Sequence, residues 1–297
     1  MNQDSNRITT TKDIKILYAN ADQLTLGKKH ELQTMTQIEK PYHVAICKVK
    51  SKYGILRQLH EYEFDGYKVV NQTNTDTDEG RGIVILADTS IQHLVVDVKS
   101  EIEFNEACII EVKLSGNDVL VFACFYRSPT NNELSTENNN KLNALLKSIS
   151  LNKKYSHKCF VGDFNFPTIN WEHWTSPHME DSKEERFLDA LRDSFLHQHV
   201  NEPIRCRGTG KPSTIDLIIT GEENQIKNLE YLNPLGKSDH SSLVFRFTCY
   251  TTSKTTSKRY IYANADFVSM KNYLASREWK EKFRNVSDSK SVEDLWH

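Results

Sequence analysis

Ten short runs rich in Val, Ile and aromatic residues punctuate this chain, at about 14–18, 43–47, 67–70, 82–87, 92–98, 107–113, 118–126, 158–162, 215–219 and 243–249. Each has the length and composition of a β-strand. Helical spacing is found in fewer places. Leu24, Leu32, Met35 and Ile38 share one face over 24–39, and Leu142, Leu145, Leu146 and Ile149 do so over 138–150. Over 184–200, Phe187, Leu188, Leu191, Phe195 and Leu196 make an apolar stripe behind the acidic turn "EDSKEE". Many short strands with three or four helices, mixed rather than alternating, predict sheet packed on sheet with helices outside.

The length, 297 residues, suits one large α/β domain with a tail. Expected boundaries are a disordered N-terminus over 1–13, the domain over 14–249, and a linker with a partial helical connector over 250–297. "NQTNTDTDEGRG" (71–82) and "SPTNNELSTENNN" (128–140) read as exposed loops, and the tail has helical spacing at Phe267, Met270, Tyr273 and Leu274. "LYANAD" (17–22) and "IYANAD" (261–266) nearly coincide, but the likeness stops within a few residues and is no repeat.

No apolar run reaches the ~20 residues of a membrane span, and the polar start lacks a signal peptide's apolar stretch. The expectation is an intracellular protein, nuclear or cytoplasmic. The six cysteines have no CxxC spacing and most lie in apolar runs, as free buried thiols in a reducing compartment do. Net charge is −2; residues 251–297 hold nine Lys/Arg against six Asp/Glu, or +3, so 1–250 carries −5. Such a chain does not coat nucleic acid non-specifically, and any contact has to come from a local patch.

Several apolar runs end in the same kind of chemistry. "IKILYANAD" ends on Asn20 and Asp22, "KCFVGDFN" on Asp163 and Asn165, and "VLVFACFYRSP" on Tyr126, Arg127 and Ser128. "STIDLII" begins with Asp216, and "GKSDHSSLVF" presents Asp239 and His240 before a strand. Singly, each reads equally as an Asx turn, a cap or a loop. Together they are carboxylates, amides and one histidine that a rigid sheet can converge. The set suits phosphodiester hydrolysis, in which oxygen ligands hold a divalent cation, a carboxylate takes a proton from water and other donors stabilise phosphate charge.

In this order, Asn20-x-Asp22, Tyr126, "GDFN" (162–165), "TID" (214–216) and "SDH" (238–240) resemble the endonuclease/exonuclease/phosphatase superfamily. "YANADQL", "CFYRSP", "FVGDFNFPTINW" and "STIDLIITG" are similar to the endonuclease of non-LTR (LINE-type) retrotransposons, and the likeness covers roughly 14–249. The resemblance implies a DNase I-like four-layer α/β/β/α sandwich, double-stranded DNA as substrate, and Mg²⁺, or Mn²⁺ in its place. It implies Asp163 as the base that activates water, with Asn165 orienting it. Asp216 would hold His240, which contacts phosphate, and Tyr126 would donate to a phosphate oxygen. Asn20, Asp22 and Asp239 would lie at the metal and phosphate. The tail is similar to the connector that leads to a reverse transcriptase, and with no polymerase domain after it the chain is expected to be a truncated or separately encoded piece.

One position departs from the pattern. The second strand of the family ends apolar-apolar-x-Glu-x-Lys; here the letters are Ala45, Ile46, Cys47, Lys48, Val49 and Lys50, so Lys48 stands at the metal-binding glutamate. Glu39 precedes both the strand and Pro41 and is no substitute. An ammonium here would repel the ion and pair with Asp22, Asp163 and Asp239, impairing the reaction; alternatively its long stem bends into water. The basic loop "EPIRCRGTGKPST" supplies Arg205, Arg207 and Lys211 as DNA contacts, joined by Arg127, Ser128 and Thr214; the loop reads equally as a solvated surface. Trp171 and Trp174 are expected to pack on the core. Two further functions stay open: a non-catalytic DNA- or protein-binding relic of the fold, and a phosphomonoesterase of the same superfamily.

Overall fold

The computed structural model describes residues 11–50, 58–75, 80–89, 95–97, 102–114, 117–129, 133–178, 181–205, 212–250 and 266–279. The chain divides into two units, Met1–Ser253 and Lys254–His297.

In the first unit the strands are β1 (Thr11–Asn20), β2 (His43–Cys47), β3 (Tyr67–Thr73), β4 (Ile83–Asp88), β5 (Val95–Asp97) and β6 (Ala107–Lys113). They continue as β7 (Val119–Tyr126), β8 (His157–Asp163), β9 (His197–Gln198), β10 (Asp216–Thr220), β11 (Ile226–Leu232) and β12 (Ser242–Tyr250). The helices are α1 (Leu26–Glu39), α2 (Glu133–Leu151) and α3 (Lys183–Asp193). One six-stranded sheet has the order β11-β12-β1-β2-β4-β3, the other β5-β6-β7-β8-β10-β9.

Alternation along each strand shows why the runs are apolar throughout. On β7, Leu120, Phe122 and Cys124 enter the core between the sheets with Ile14, Ile16 and Phe245. Val121, Ala123 and Phe125 face the other way, onto Leu142, Leu146, Phe187 and Leu191 of α2 and α3. On β1, Leu17 and Ala19 face outward to Leu32 of α1. Each sheet thus has one face in the shared core and the other packed over its middle strands against helices, which makes the four layers α/β/β/α.

Two parallel pairs, β1 with β2 and β7 with β8, are each joined through a helix. Their C-terminal ends therefore share a rim in each sheet. The antiparallel β10 begins at that rim, with Asp216 opposite Asp163.

Several boundaries differ from the expectation. The first strand starts at Thr11, so only residues 1–10 of the expected disordered segment remain outside the described residues. In α1 the helix begins after its Thr25 cap, leaving Leu24 buried ahead of it and Ile38 exposed. Strand β3 runs on through Thr73, where Asn71 and Thr73 donate to the carbonyls of Ile109 and Ala107 in the other sheet. Helix α2 starts at Glu133, inside the expected loop 128–140. Helix α3 stops at Asp193; Phe195 has a φ of 53° and is exposed, and His197–Gln198 form an edge strand on β10. The second unit contains α4 (Phe267–Ala275), capped by Asp266 on the Ser269 N–H, with Phe267, Met270, Tyr273 and Leu274 all exposed. Among the described residues no helix is long and apolar enough to cross a membrane.

Candidate active site

Strand ends bring the predicted residues together at the shared rim. Asp163 closes β8 and is fully buried, as is Asp216 opposite it. Gly162 makes this closure possible: it has φ +151°, and a Cβ there would lie 2.1 Å from the Phe125 carbonyl oxygen on β7. Asn20, at the end of β1, donates from Nδ2 to Asp163 Oδ2 at 2.9 Å. His240 is held by Asp216, with Nδ1 2.5 Å from Oδ2. That contact assigns the proton to Nδ1, with Nε2 facing Asp239 Oδ1 at 3.5 Å. Ser238 fixes the approach to His240 by donating to the Asn20 carbonyl at 2.9 Å and accepting from the His240 N–H.

Electrostatics follow this packing. Burial opposes charge on His240, but Asp216 and Asp163 outweigh it and raise its pKa. Burial works against ionised Asp216 too, yet His240 and the Tyr18 hydroxyl hold its pKa below the ordinary value. Asp163 is pushed upward by burial and then by Asp216, with Lys48 opposing. The Lys48 ammonium is disfavoured by burial, but Asp163 outweighs that and holds its pKa above the ordinary lysine range.

Lys48 points inward. Its Nζ lies 2.7 Å from Asp163 Oδ2, with side-chain exposures of 12% for Lys48 and 0% for Asp163, and 5.2 Å above the Tyr126 ring. A backbone φ of 54° at Lys48 aims it there, supported by Gln23 N–H on its carbonyl at 2.8 Å. Of the two orientations open to the stem, the buried one is adopted. Tyr126 itself is buried, which raises the pKa of its hydroxyl.

The remaining expected residues are placed around this cluster. Asp22 is half-exposed and pairs with Arg81 at 2.8 Å; Asp239 pairs with Arg205 at 3.0 Å. Asn165, with φ 51°, donates from Nδ2 to the Arg127 carbonyl at 2.7 Å. Arg127, expected on DNA, is instead buried: its guanidinium donates to Asn139 Oδ1 at 2.5 Å and the Asn165 carbonyl at 2.9 Å, and stacks on Phe166. It braces the Asp163–Asn165 turn from behind. Ser128 is held by Glu106 through both its N–H and its hydroxyl, and the Thr214 hydroxyl donates to the Glu202 carbonyl. Arg207 and Lys211 lie outside the described residues. Trp171 and Trp174 pack edge to face beside the α2/α3 core.

Tyr18, Arg81 and Glu106 were not singled out by the sequence. Tyr18 donates to Asp216 Oδ1 at 2.5 Å. Its spacing of two from Asn20 on β1 is the one signal that could have found it. Nothing in "EGRG" marks Arg81.

Residues 120–244 match a family model described as Endonuclease-reverse transcriptase. The fold matches the endonuclease domain of TRAS1, a telomere-specific non-LTR retrotransposon, at a TM-score of 0.58 and 18% identity, covering 80% of this chain and 98% of that one. The fold is that of the endonuclease/exonuclease/phosphatase superfamily. A 3′ phosphatase, NExo from Neisseria, bound to product DNA hairpin, matches at a TM-score of 0.54 and 14% identity, over 79% of this chain and 99% of that one. The human Nocturnin catalytic domain matches at 0.50 and 12%, over 82% and 97%. No curated protein sequence matches.

Members of this superfamily are typically metal-dependent, and Asp163, Asp216 and His240 bring ligand atoms within 4.8 Å of one another, a candidate acidic cluster. The side chains around it do not suit a divalent cation. Asp163 Oδ2 already takes the Lys48 ammonium and the Asn20 amide, and Asp216 takes His240 and Tyr18. A cation brought to Asp163 would meet a buried positive charge at hydrogen-bonding range. Beside the cluster, and not containing it, lies a cleft of about 840 Å³ lined by Arg127, Asn165, Thr168, His178, Lys183 and Arg205.

Proposed function

We propose that the first unit is a DNA-directed phosphodiester hydrolase domain of retroelement endonuclease type, acting on double-stranded DNA, with nicking severely weakened by Lys48. The observation that carries this reading is the 2.7 Å contact between Lys48 Nζ and Asp163 Oδ2. On this reading Asp163 is the base that takes a proton from water, and the ammonium lowers its basicity and stands between it and solvent. His240, oriented by Asp216 and with its pKa raised, is in its cationic form the donor from Nε2 for charge on the phosphate. Arg205, at the rim and paired with Asp239, is the basic residue this reading assigns to the DNA backbone. The TRAS1 match supports DNA over a soluble phosphate ester as substrate.

The test is nicking of supercoiled plasmid by the chain and by Lys48→Glu, each with Mg²⁺ and with EDTA. A metal ion contributes several kcal/mol to such a reaction, so the variant in Mg²⁺ is expected to nick roughly 100-fold faster or more than the unaltered chain. Equal rates overturn the role given to Lys48. Phosphate release from a monoester without nicking by either protein would favour the phosphomonoesterase.

A further inference from the structure

Four carboxylates meet at this rim, and each is matched to a basic side chain. Asp22 pairs with Arg81 at 2.8 Å, Asp163 with Lys48 at 2.7 Å, Asp239 with Arg205 at 3.0 Å and Asp216 with His240 at 2.5 Å. Lysine and arginine stay charged at all relevant pH, so three of the four negative charges are balanced whatever the histidine does. The fourth is shared between His240 and the Tyr18 hydroxyl.

Charge arithmetic at position 48 is then informative. The family pattern has a glutamate there, charge −1, and with a divalent cation beside it the local sum is −1 + 2 = +1. Lys48 alone is +1. One side chain supplies the charge that otherwise takes a carboxylate and a metal ion together, and its Nζ stands at bonding distance from the buried oxygen that most needs it.

We propose that Lys48 stands in for the carboxylate and divalent cation combined, so that this chain assembles and holds its active-site carboxylates without any metal ion. Holding these carboxylates together then needs no metal ion, while the hydrolysis still lacks what an ion would contribute. This deepens the function proposed above and rests on that reading only for what position 48 ordinarily holds. Loss of the ammonium, by contrast, restores a dependence on added cation, because Asp163 and Asp216 face each other across β8 and β10 with no exposure to water.

The test is thermal unfolding of the full chain and of Lys48→Glu, each in EDTA and in millimolar Mg²⁺, with reduced thiols. The expected result is an unchanged Tm for the unaltered chain, and for the variant a lower Tm in EDTA that Mg²⁺ raises by several degrees. A Mg²⁺-induced rise in the unaltered chain as large as the variant's overturns the proposal, and so does a folded variant indifferent to Mg²⁺. Should the variant fail to fold in either buffer, Mn²⁺ titration of the unaltered chain, read by electron paramagnetic resonance of the free ion, decides. An undiminished free-ion signal supports the stand-in, and stoichiometric uptake refutes it. Neither readout involves DNA, so absence of nicking by Lys48→Glu would count against the proposed activity and leave this inference standing.

Discussion

Lys48→Met isolates the energetic role of the ammonium. Methionine fills most of the volume of the lysine stem, so the packing change is small. What is lost is the charge 2.7 Å from a carboxylate with no exposure. Asp163 keeps two donors, Asn20 Nδ2 at 2.9 Å and its own turn's Asn165 N–H at 3.2 Å. Breaking a buried pair from one side costs about 3–5 kcal/mol, because the surviving charge is left uncompensated. Here the survivor has a second carboxylate, Asp216, as its strand partner. Part of the loss can be relieved by protonation. The folded pKa of Asp163 is already raised above its ordinary 3.8, and removal of Lys48 raises it further. A raised carboxyl pKa means the folded state binds the proton more tightly. That contribution is present below about pH 3.8 and disappears as pH rises through the folded value. The deficit of Lys48→Met is therefore expected to grow with pH. Urea unfolding followed by tryptophan fluorescence measures it. Adding Asp163→Asn to the variant removes the stranded charge, so the double variant should be less unstable than Lys48→Met alone. A loss below about 1 kcal/mol, the size found for exposed pairs, would refute the reasoning, since it would mean that the ammonium is solvated and Asp163 reaches water.

Two further outcomes are expected. Gly162→Ala should cost about 4 kcal/mol or more by circular dichroism melts, since its Cβ would strike the Phe125 carbonyl oxygen, whereas Gly27→Ala, with open space around it inside α1, should gain about 1 kcal/mol. Burial, with His197 nearby, pushes the pKa of His199 down from 6.5 to about 4. The unfolded chain therefore binds the proton that the folded one refuses, and stability should fall by up to about 1.4 kcal/mol per unit as pH drops between those values, a slope that His199→Gln removes.

The strands were readable because each is short, β-branched and aromatic, and the sheet-on-sheet plan follows from there being too many of them for one buried face. What escaped the sequence did so for local reasons. Strand β11 carries Lys227, Asn228 and Glu230 with a register shift between Lys227 and Glu230, so alternation is broken where a reader would look for it. Helix α3 has no Gly or Pro to stop it, and Phe195 and Leu196 continue its spacing after the backbone has turned at Ser194 and Phe195. The start of α2 is hidden by the run Asn138–Asn140, which local propensity assigns to a loop. Tertiary demand overrides it: Asn139 is buried and accepts from the Arg127 guanidinium, while Asn138 donates to Glu106. The same contact explains why Arg127 was misread. Arginine beside Ser and Pro after a strand looks like a surface loop, and only the fold shows that its charge is spent bracing the Phe164 and Asn165 carbonyls.

The polar rim was readable for a different reason: oxygen-bearing side chains at the ends of apolar runs have few structural uses that recur five times. The sequence does not disclose why the departure at position 48 is a lysine. Asp163 and Asp216 are paired in register on adjacent strands, both without exposure, and Tyr18 and Asn20 beneath them supply dipoles but no charge. A neutral side chain at 48 would leave two like charges with only His240 between them, and a carboxylate there without an ion would make three. Short of protonating the aspartates, the fold accepts at this point either a metal ion or a cation carried on a side chain long enough to cross from the end of β2 to the end of β8. Lysine, turned inward by its positive φ at the first residue beyond β2, meets that requirement, and in meeting it occupies the oxygen on which the hydrolytic chemistry depends.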